Sequence, residues 1–390
     1  MQAHWIWFAQ LPELTLRQKR ILLETFPNPE DLYDLTQTDT LTMLPPERRW
    51  ALQNKDMTEA SRILRLCAAK GIDILTILDD AYPEKLRQIE DAPIVLYYKG
   101  ILPDFDNNPT IGIVGTRKAS AYGKNSAALL SSQIAACNGI VISGGASGID
   151  TSALQSAVDA DSRTVAVLGC GVDIAYPPTN RKLFSKILQR GCIVSEYPPQ
   201  TQPKPWHFPA RNRIISGLCD GVVVVEAPER SGALSTANHT LEQGRDVFAV
   251  PANIDVVSCA GSNRLLRDGA QIALNGYDVV KTYENRYPDV VKNPEENQQY
   301  PAQADAPAQS TDKKGIDNSP LEHYHFLNDG ASQLTPEECK LIGFLTREPK
   351  PVDIVIAQMD LPAPVVLEML TNLSLKGIVL QHSGRRVSVK

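Results

Sequence analysis

Short apolar runs rich in β-branched residues recur through the middle of the chain, between Pro93 and Tyr283. Most of these runs are separated by stretches of helical periodicity, such as Lys124–Cys137 and Ser235–Glu242. Continuously apolar strands that alternate with helices are typical of a parallel sheet that is buried on both faces. We therefore predict an α/β domain over residues 79–285. The predicted strands are IVLYY, TIGIVG, GIVISG, TVAVLG, CIVSE, GVVVVE and DVFAVP.

Residues 1–78 show a helical pattern instead of alternating strands. The segment LTLRQKRILLETF places Leu16, Ile21 and Leu22 on one apolar face, and prolines at positions such as 27 and 45 interrupt the pattern. We predict a small domain of short helices in this part of the chain.

The chain changes character again after residue 285. Residues 286–333 are rich in Asn, Gln, Pro, Asp and Ala and poor in large apolar side chains, which predicts a disordered linker. Residues 334–390 regain periodicity, with three helical segments followed by a strand pair around Ser383 and Gly384. Three helices and a terminal hairpin are the layout of a winged-helix domain.

Composition limits the class of protein. The chain has 390 residues, which is enough for two or three domains with real cores. No apolar run approaches the roughly 18 residues of a membrane span, and the apolar start HWIWFAQL lacks the features of a signal peptide. The seven cysteines are scattered without a C-x-x-C pair. We therefore expect a cytoplasmic protein with reduced thiols, no membrane association and no metal site.

A basic segment stands out against the formal net charge of -6. From Tyr176 to Gly217 the only acidic residue is Glu196, and prolines and aromatic residues accompany the cations. A local basic patch on an acidic chain predicts a site for a phosphate-bearing ligand. Its basic residues are Arg181, Lys182, Lys186, Arg190, Lys204, Arg211 and Arg213.

Two glycine-rich turns follow predicted strands. In GTRKASAYGK, residues 115–124, Gly115 permits a sharp turn, and Arg117, Lys118 and Lys124 stand where the next helix begins. In GGASGID, residues 144–150, the glycines permit close approach of a phosphate. A solvated loop explains the first segment equally well, and tight strand–helix packing explains the second.

Neither turn fits a common nucleotide motif. The spacing of the first is too long for a Walker A loop, and Asn125 replaces its Ser or Thr. The segment GCGVDI lacks the third glycine of the dinucleotide fingerprint, so NAD binding is not supported and no cofactor is expected. No nucleophile is paired with a base, so we predict no catalytic residue and no enzymatic activity.

The segment FPARNRIISG carries two arginines that are two positions apart. On a helix, Arg211 and Arg213 therefore point to different sides, so one is expected to bind ligand and the other to brace the loop through Glu196 or Glu226. A structural role for both arginines is the alternative. The aromatic residues at positions 206–208 are candidates for stacking on bases, although packing over the sheet edge is the favoured role of Phe208.

The motifs in succession closely resemble the bacterial DNA-processing protein A (Smf) family over roughly residues 80–280. The resemblance implies a Rossmann-like domain that binds and protects single-stranded DNA and helps to load a RecA-type recombinase during natural transformation. It also implies a homodimer without established enzymatic activity, a sterile-alpha-motif-like helical domain in front and a winged helix behind. The matching segments are YPEKLRQIEDAPIVLYYKG, GTRKASAYG, SGGASGID, VLGCGVDIAYPPTN, SEYPPQTQPKPWHFPARNRIISGL, VVVVEAPERSGALSTA and GRDVFAVP.

The resemblance also implies a set of DNA-binding positions. Two departures from the family pattern are Ser147 and Leu154, and residues 1–75 lack the glycines of a helix-hairpin-helix clamp, so we do not expect them to hold DNA. With the flanking lysines Lys118 and Lys124, the predicted DNA-binding residues are Gly115, Thr116, Arg117, Gly144, Gly145, Arg181, Lys182, Arg211, Asn212 and Arg213.

Two other functions remain open at the level of sequence. Related Rossmann-like enzymes process nucleotides through a Pro-Gly-Gly-x-Gly-Thr-x-x-Glu motif, and residues 230–236 here lack its glycine pair and glutamate. A nucleotide sensor or nucleotide hydrolase is the main alternative. The winged helix, with Lys376, Arg385 and Arg386, suggests a duplex-binding regulator, but it lacks a helix rich in base-reading side chains. Contact with another protein explains this domain at least as well.

Overall fold

The computed structural model describes residues 2–36, 42–291, 336–346, 350–359, 361–375, 378–382 and 386–389. The chain divides into two compact units, residues 1–306 and residues 307–390. No helix in the described ranges is both long and apolar enough to cross a membrane.

Short helices form the start of the first unit, as the sequence predicts. Helix α2 begins with a capping box, in which the Thr15 side chain accepts from the Gln18 amide and the Gln18 side chain accepts from the Thr15 amide. Side chains such as Ile6, Leu22 and Ile63 are fully buried between the helices. The helices are α1 (Gln2–Ala9), α2 (Leu16–Thr25), α3 (Pro29–Asp34), α4 (Pro46–Arg49) and α5 (Thr58–Lys70).

A nine-stranded sheet, with helices packed on it, forms the rest of the described first unit. Its strand order is β1-β2-β6-β5-β4-β3-β7-β8-β9. The pairings of β1 with β2 and of β2 with β6 are antiparallel, and the others are parallel. All seven predicted strands are present, as β2 to β8. The strands are β1 (Asp73–Thr76), β2 (Val95–Gly100), β3 (Thr110–Val114), β4 (Ile140–Ser143), β5 (Thr164–Val167), β6 (Cys192–Ser195), β7 (Gly221–Val224), β8 (Asp246–Ala249) and β9 (Gln271–Ile272).

The helices between the strands cover both faces of the sheet. Successive strands from β3 to β6 progress in one direction, and the chain then returns to place β7 on the other side of β3. Because parallel crossovers are right-handed, α7 to α9 lie on one face, and α10 and α11 lie on the other. The helices of this region are α6 (Glu84–Arg87), α7 (Ala121–Ala136), α8 (Ile149–Asp159), α9 (Arg181–Ile187), α10 (His207–Leu218), α11 (Gly232–Glu242), α12 (Ala260–Arg267) and α13 (Gly276–Lys281).

The α/β region extends beyond both of its predicted bounds, 79 and 285. Strand β1 precedes residue 79 and pairs with β2. At the other end Tyr287 is buried and its hydroxyl donates to Asp220 over 3.0 Å, and Asn138 donates to the carbonyl of Val290 over 2.8 Å. Residues 286–291 are therefore packed onto this region and are not linker. The remainder of the predicted linker, 292–333, lies outside the described residues.

The second unit has the winged-helix layout that the sequence predicts. Its apolar core includes Leu341, Val355, Val366 and Leu370. Arg386 is exposed at the start of the last strand, whereas Lys376 and Arg385 lie outside the described residues. The elements are α14 (Pro336–Phe344), β10 (Lys350–Pro351), α15 (Val352–Gln358), α16 (Ala363–Leu375), β11 (Val379–His382) and β12 (Arg386–Val389).

Candidate nucleic-acid interface

A cleft of about 340 Å³ opens at the carboxyl ends of β3, β4 and β7. It lies where the strand order reverses between β3 and β7, the position at which open α/β sheets bind ligands. We call it the cleft throughout. Its main contributors are residues 114–117 after β3, Ala146 and Asp150 after β4, one side of α10, and residues 228–233 before and at the start of α11.

Hydrogen bonds to Glu226 hold the first glycine loop, residues 115–120, in place. The Thr116 amide donates to the Glu226 carbonyl over 2.7 Å, and the Ser120 amide and hydroxyl both donate to the Glu226 carboxylate, over 3.0 and 2.8 Å. Glu226 itself is fully buried. The loop backbone is thus held in place while the side chains of Arg117 and Lys118 remain exposed to solvent.

Residues 144–148, the second glycine loop, pack directly against the first. Gly148 has a φ of +83°, and a Cβ there would collide with the carbonyl oxygen of Thr116. Gly145 has a φ of +66° and lies against Phe184. Tight packing therefore accounts for these two glycines, while Gly144 is the one that faces the charged groups of the cleft.

Arg211 is a buried cation on the floor of the cleft. Its Nη1 donates to the carbonyl of Gly144 over 2.8 Å and to the carbonyl of Val167. The side chain is only 4% exposed, and its Nε has no hydrogen-bond partner. Burial lowers the pKa of Arg211 to about 10, although the nearby Asp150 carboxylate opposes that shift. The cleft thus contains a positive charge whose N–H groups are only partly satisfied by protein acceptors.

Asp150 faces Arg211 across the Cα of Gly144. A Cβ at Gly144 would lie 2.7 Å from both Arg211 Nη2 and Asp150 Oδ2. Burial raises the pKa of Asp150 to about 6, against the opposing effects of Arg211, the Ala146 amide and Arg117. A carboxylate in this position weakens the positive field of the cleft whenever it is ionised.

Arg213 lies on the opposite side of α10 and does not line the cleft. It is buried, its two Nη atoms donate to Glu196 over 3.0 and 2.6 Å, and its Nε is 2.9 Å from Asp91. Its prediction as a DNA-binding residue is therefore corrected, because both of its ion pairs hold α10 against neighbouring segments. Of the two carboxylates predicted as bracing partners, Glu196 is the one that pairs with Arg213, while ligand binding by Arg211 stays a prediction.

Asn212 lines the cleft beside Arg211. Its side-chain amide donates to the carbonyl of Gly232 over 3.2 Å, which ties α10 to the start of α11. Helix α11 begins there, and its capping residue Ser231 accepts from the Ala233 amide over 3.3 Å. Arg230 and Ser231 both line the cleft, although neither was among the predicted DNA-binding residues. The signal available in the sequence was their place between the strand GVVVVE and the helical stretch Ser235–Glu242.

Four predicted cations flank the cleft without lining it. Lys118 and Lys124 are exposed beside and within the start of α7, and Arg181 and Lys182 are exposed in the first turn of α9. The start of α9 is attached to the second glycine loop, because Asn180 donates to the carbonyl of Gly145 over 3.0 Å. Arg181 and Lys182 therefore stand beside that loop and add positive charge around the opening.

Aromatic side chains border a smaller pocket that adjoins the cleft. Arg117, Gly144 and Phe208 line this pocket of about 70 Å³, together with Tyr176. The Arg117 guanidinium lies 5.1 Å from the centre of the Phe208 ring, and the Tyr176 ring is 5.5 Å from it on centres. Cations and aromatic faces in one groove are what a single-stranded nucleic acid requires.

Positions 206–208 take three different environments. His207 is buried, stacks on Tyr197 at 4.0 Å and lies 3.1 Å from the Gly169 carbonyl. Phe208 supports Arg117. Trp206 is 66% exposed. Within the described ranges, no group of His, Cys, Asp and Glu side chains is arranged to hold a metal ion.

Comparison with known proteins identifies the group to which the chain is related. Residues 73–284 match the DNA recombination-mediator protein A family, and residues 328–385 match the DprA winged helix domain. The chain belongs to the DNA recombination-mediator protein A family.

Relatives in this family span most of the chain. It is 43% identical over 213 residues to the DNA processing protein DprA of Streptococcus pneumoniae, covering 54% of this chain and 73% of that protein. It is 34% identical over 326 residues to the protein Smf of Synechocystis, covering 81% and 80%.

Two solved structures of family members share the fold. The X-ray structure of DNA processing protein A from Streptococcus pneumoniae superposes with a TM-score of 0.63 and 35% identity over 72% of this chain and 98% of that chain. DNA processing protein A from Helicobacter pylori, described with its single-stranded DNA binding mode, gives a TM-score of 0.50 and 29% identity over 55% and 97%.

The buried carboxylate of Asp150 leads to a pH prediction for this family member. Its ordinary pKa of 3.8 is raised to about 6 by burial, so the cleft becomes more positive as the pH falls through that value. We expect Asp150→Asn to tighten the binding of an oligothymidylate severalfold at pH 8 and to match the parent near pH 5, where Asp150 is protonated. Fluorescence anisotropy at constant ionic strength measures both affinities.

The exposed Asp159, at the other end of α8, provides the control with the same change of charge. An equal effect of Asp159→Asn would mean that net charge, not the cleft, sets the affinity.

The raised pKa of Asp150 also makes the folding stability depend on pH. Because the folded-state pKa is raised, Asp150 becomes destabilising as the pH rises from about 4 through about 6, and Asp150→Asn removes that dependence.

Proposed function

We propose that this protein binds single-stranded DNA in the cleft, with little sequence preference. The observation that carries the proposal is the convergence of Arg117, Arg211 and Arg230 with the Phe208 face at the switch point of the sheet. The binding mode described for the Helicobacter pylori relative supports it. Cations and backbone amides suit phosphates, whereas aromatic faces accept any base.

Single strands are favoured over duplex by the shape of the site. The Phe208 and Tyr176 rings border the small pocket beside the cleft, and an unpaired base can stack on such rings. In a duplex, neighbouring base pairs occupy both faces of each base, so only the phosphates remain available to these side chains. The described part of α16 contains no Arg or Lys, which argues against groove reading by the winged helix.

We also propose a cellular role within natural transformation and recombination, in the cytoplasm. In this role the protein protects incoming single strands and helps to load a RecA-type recombinase onto them. Family membership supports the role. The protein itself is proposed to act as a binding factor and not as an enzyme.

The proposed function and the nucleotide-enzyme alternative differ in whether the protein converts nucleotides into products. Glu226 is the carboxylate nearest the first glycine loop, but it is fully buried and accepts hydrogen bonds from Ser120. We expect no conversion of ATP, NAD or nucleoside monophosphates above a heat-inactivated sample. Product formation that Glu226→Gln abolishes would establish the alternative instead.

The fragment of residues 1–291 is expected to bind single-stranded DNA as tightly as the full chain. All cleft residues belong to the first unit, which is packed as far as Val291. From the sequence alone, residues 90–285 are expected to suffice for DNA binding, but that fragment is too short because it removes Lys85, whose ammonium lies 2.7 Å from the buried Asp220. Anisotropy titrations of both proteins at matched salt provide the measurement, and a loss of most affinity in the fragment would assign DNA binding to the second unit.

A homodimer is proposed through the exposed edge of the sheet at β9. This strand pairs with β8 on one side, while Ile272 is 57% exposed and Leu274 is 68% exposed. Exposed apolar side chains on and just after an edge strand favour contact with a second copy around a two-fold axis. We expect the parent to scatter light as a dimer and Ile272→Asp to scatter as a monomer. Leu129→Asp, at an exposed leucine of α7, is the control. Equal molecular masses for Ile272→Asp and Leu129→Asp would place the interface elsewhere.

A further inference from the structure

Trp206 is an exposed indole at the rim of the cleft. It immediately precedes α10, and its neighbours Pro205 and Phe208 both line the cleft. Of the four tryptophans in the chain, Trp5 and Trp7 are buried in the N-terminal helices, whereas Trp50 and Trp206 are 52% and 66% exposed. Only Trp206 of these two adjoins the candidate DNA site.

The segment that carries Trp206 is held firmly on both sides. At its start the Gln200 amide donates to Asp173 over 2.9 Å, and Arg62 of α5 donates to the Gln200 side chain over 3.1 Å. The Gly171 amide donates to the Thr201 carbonyl over 2.9 Å. At its end His207 stacks on Tyr197. The indole is therefore presented from a fixed backbone, which lowers the entropy lost when a ligand stacks on it.

The surroundings of the indole indicate what would cover it. Lys204 places its ammonium 5.6 Å from the centre of the Trp206 ring, and Arg117 lies at the adjoining cleft. A single exposed apolar side chain is ordinary on a protein surface. Here, however, the ring is a large flat face beside a cation and continuous with a cleft built for phosphates. That combination suits a nucleobase and its phosphate better than an apolar protein surface.

We propose that Trp206 is an outer stacking platform for single-stranded DNA. A base that leaves the cleft stacks on the indole, and Lys204 contacts an adjoining phosphate. The proposal rests on the proposed function of the cleft and adds a second, external contact that lengthens the bound segment of the strand. It predicts that Trp206 matters for long oligonucleotides and not for those short enough to fill the cleft alone.

The test compares Trp206→Ala with Trp50→Ala in the full chain, using oligothymidylates of 3 and 12 nucleotides. We expect Trp206→Ala to weaken binding of the 12-mer about tenfold, in the range found for one stacked base, and to leave the 3-mer unchanged. Trp206→Phe should keep most of the affinity, because a smaller ring still stacks. In a Trp50→Phe background, the 12-mer should quench the tryptophan fluorescence and the 3-mer should not.

Each outcome has a separate meaning. If the parent binds neither oligonucleotide, the proposed function of the cleft is wrong. If the parent binds and Trp206→Ala behaves like Trp50→Ala, the platform is wrong while the cleft stands. Equal losses for both lengths would show that Trp206 shapes the cleft itself, and a change of molecular mass would show a contact between copies. Either result overturns the platform, and thermal melting verifies that each variant is folded.

Discussion

Arg213→Ala is expected to lower the free energy of unfolding by about 3 kcal/mol, because it leaves two carboxylates without their shared buried cation. The Arg213 side chain is 6% exposed and its Nη2 lies 2.6 Å from Glu196 Oε2. The same guanidinium also donates to the carbonyls of Asp91 and Ala210, over 3.1 and 3.0 Å. Urea unfolding at neutral pH measures the difference from the parent.

Arg190→Ala is the matched control for that measurement. Arg190 pairs with Asp161 at the surface, where both side chains are more than half exposed, so its removal should change the stability by less than about 1 kcal/mol. Equal effects of the two variants would contradict the bracing role of Arg213. Below its melting temperature, Arg213→Ala should bind single-stranded DNA nearly as the parent does, since the arginine lies outside the cleft.

The double variant Arg117→Ala, Lys182→Ala should instead lose affinity for single-stranded DNA and keep its folding stability. Both side chains are exposed around the cleft, so their loss should leave the melting temperature almost unchanged. Each removed phosphate contact lowers the salt slope for single strands by about 0.7, so the pair should lower it by about 1.4. We expect a loss of affinity of roughly 100-fold at low salt, estimated at about tenfold for each lost charge-assisted contact. Anisotropy titrations over a salt series measure both quantities.

The double variant Lys186→Ala, Arg190→Ala removes the same total charge from the last turn of α9 and the turn that follows it. There Lys186 pairs with Asp159. This control should lose little affinity, because the carboxyl edge of the sheet, which contains the cleft, lies at the start of α9. If the two double variants lose affinity equally, binding depends on the overall charge of the protein and the cleft is misplaced.

The sequence predicts most of the sheet because its parallel strands are buried on both faces. Residues 140–143 and 221–224, for example, are entirely buried and read as short apolar runs. The two strands without a prediction lack that signature. Strand β9 has two exposed residues, and β1 is a partly exposed edge strand whose paired residues lie 19 to 25 positions further along the chain. Edge strands are specified by their neighbours more than by their own pattern.

The domain bounds required knowledge of distant contacts. Asp220 accepts hydrogen bonds from Lys85, which precedes the predicted strands, from Tyr287, which follows them, and from the amide of Thr110. Nothing in the local composition near residues 85 or 287 indicates a buried carboxylate more than 60 positions away. The ordered region is consequently longer at both ends than the pattern of strands suggests.

The sequence predicts which loops form the candidate site better than it predicts the role of each residue in them. Glycines after β3 and β4 indicate that backbone approaches closely there, and the structure brings both loops to the cleft. Helical spacing separates Arg211 from Arg213, but only packing decides which of them faces the cleft. Glu226 is likewise assigned by packing, since its carboxylate anchors Ser120 and not an arginine.

The most direct test of the account is a titration of the full chain with a single-stranded oligonucleotide and with the corresponding blunt duplex, each at 50 and 200 mM salt. Binding in the cleft predicts that the single strand binds about tenfold more tightly or better, because stacking on aromatic side chains is available only to unpaired bases. It also predicts a steep loss of affinity between the two salt concentrations, since phosphate contacts release counterions. Equal or tighter binding of the blunt duplex would contradict the account.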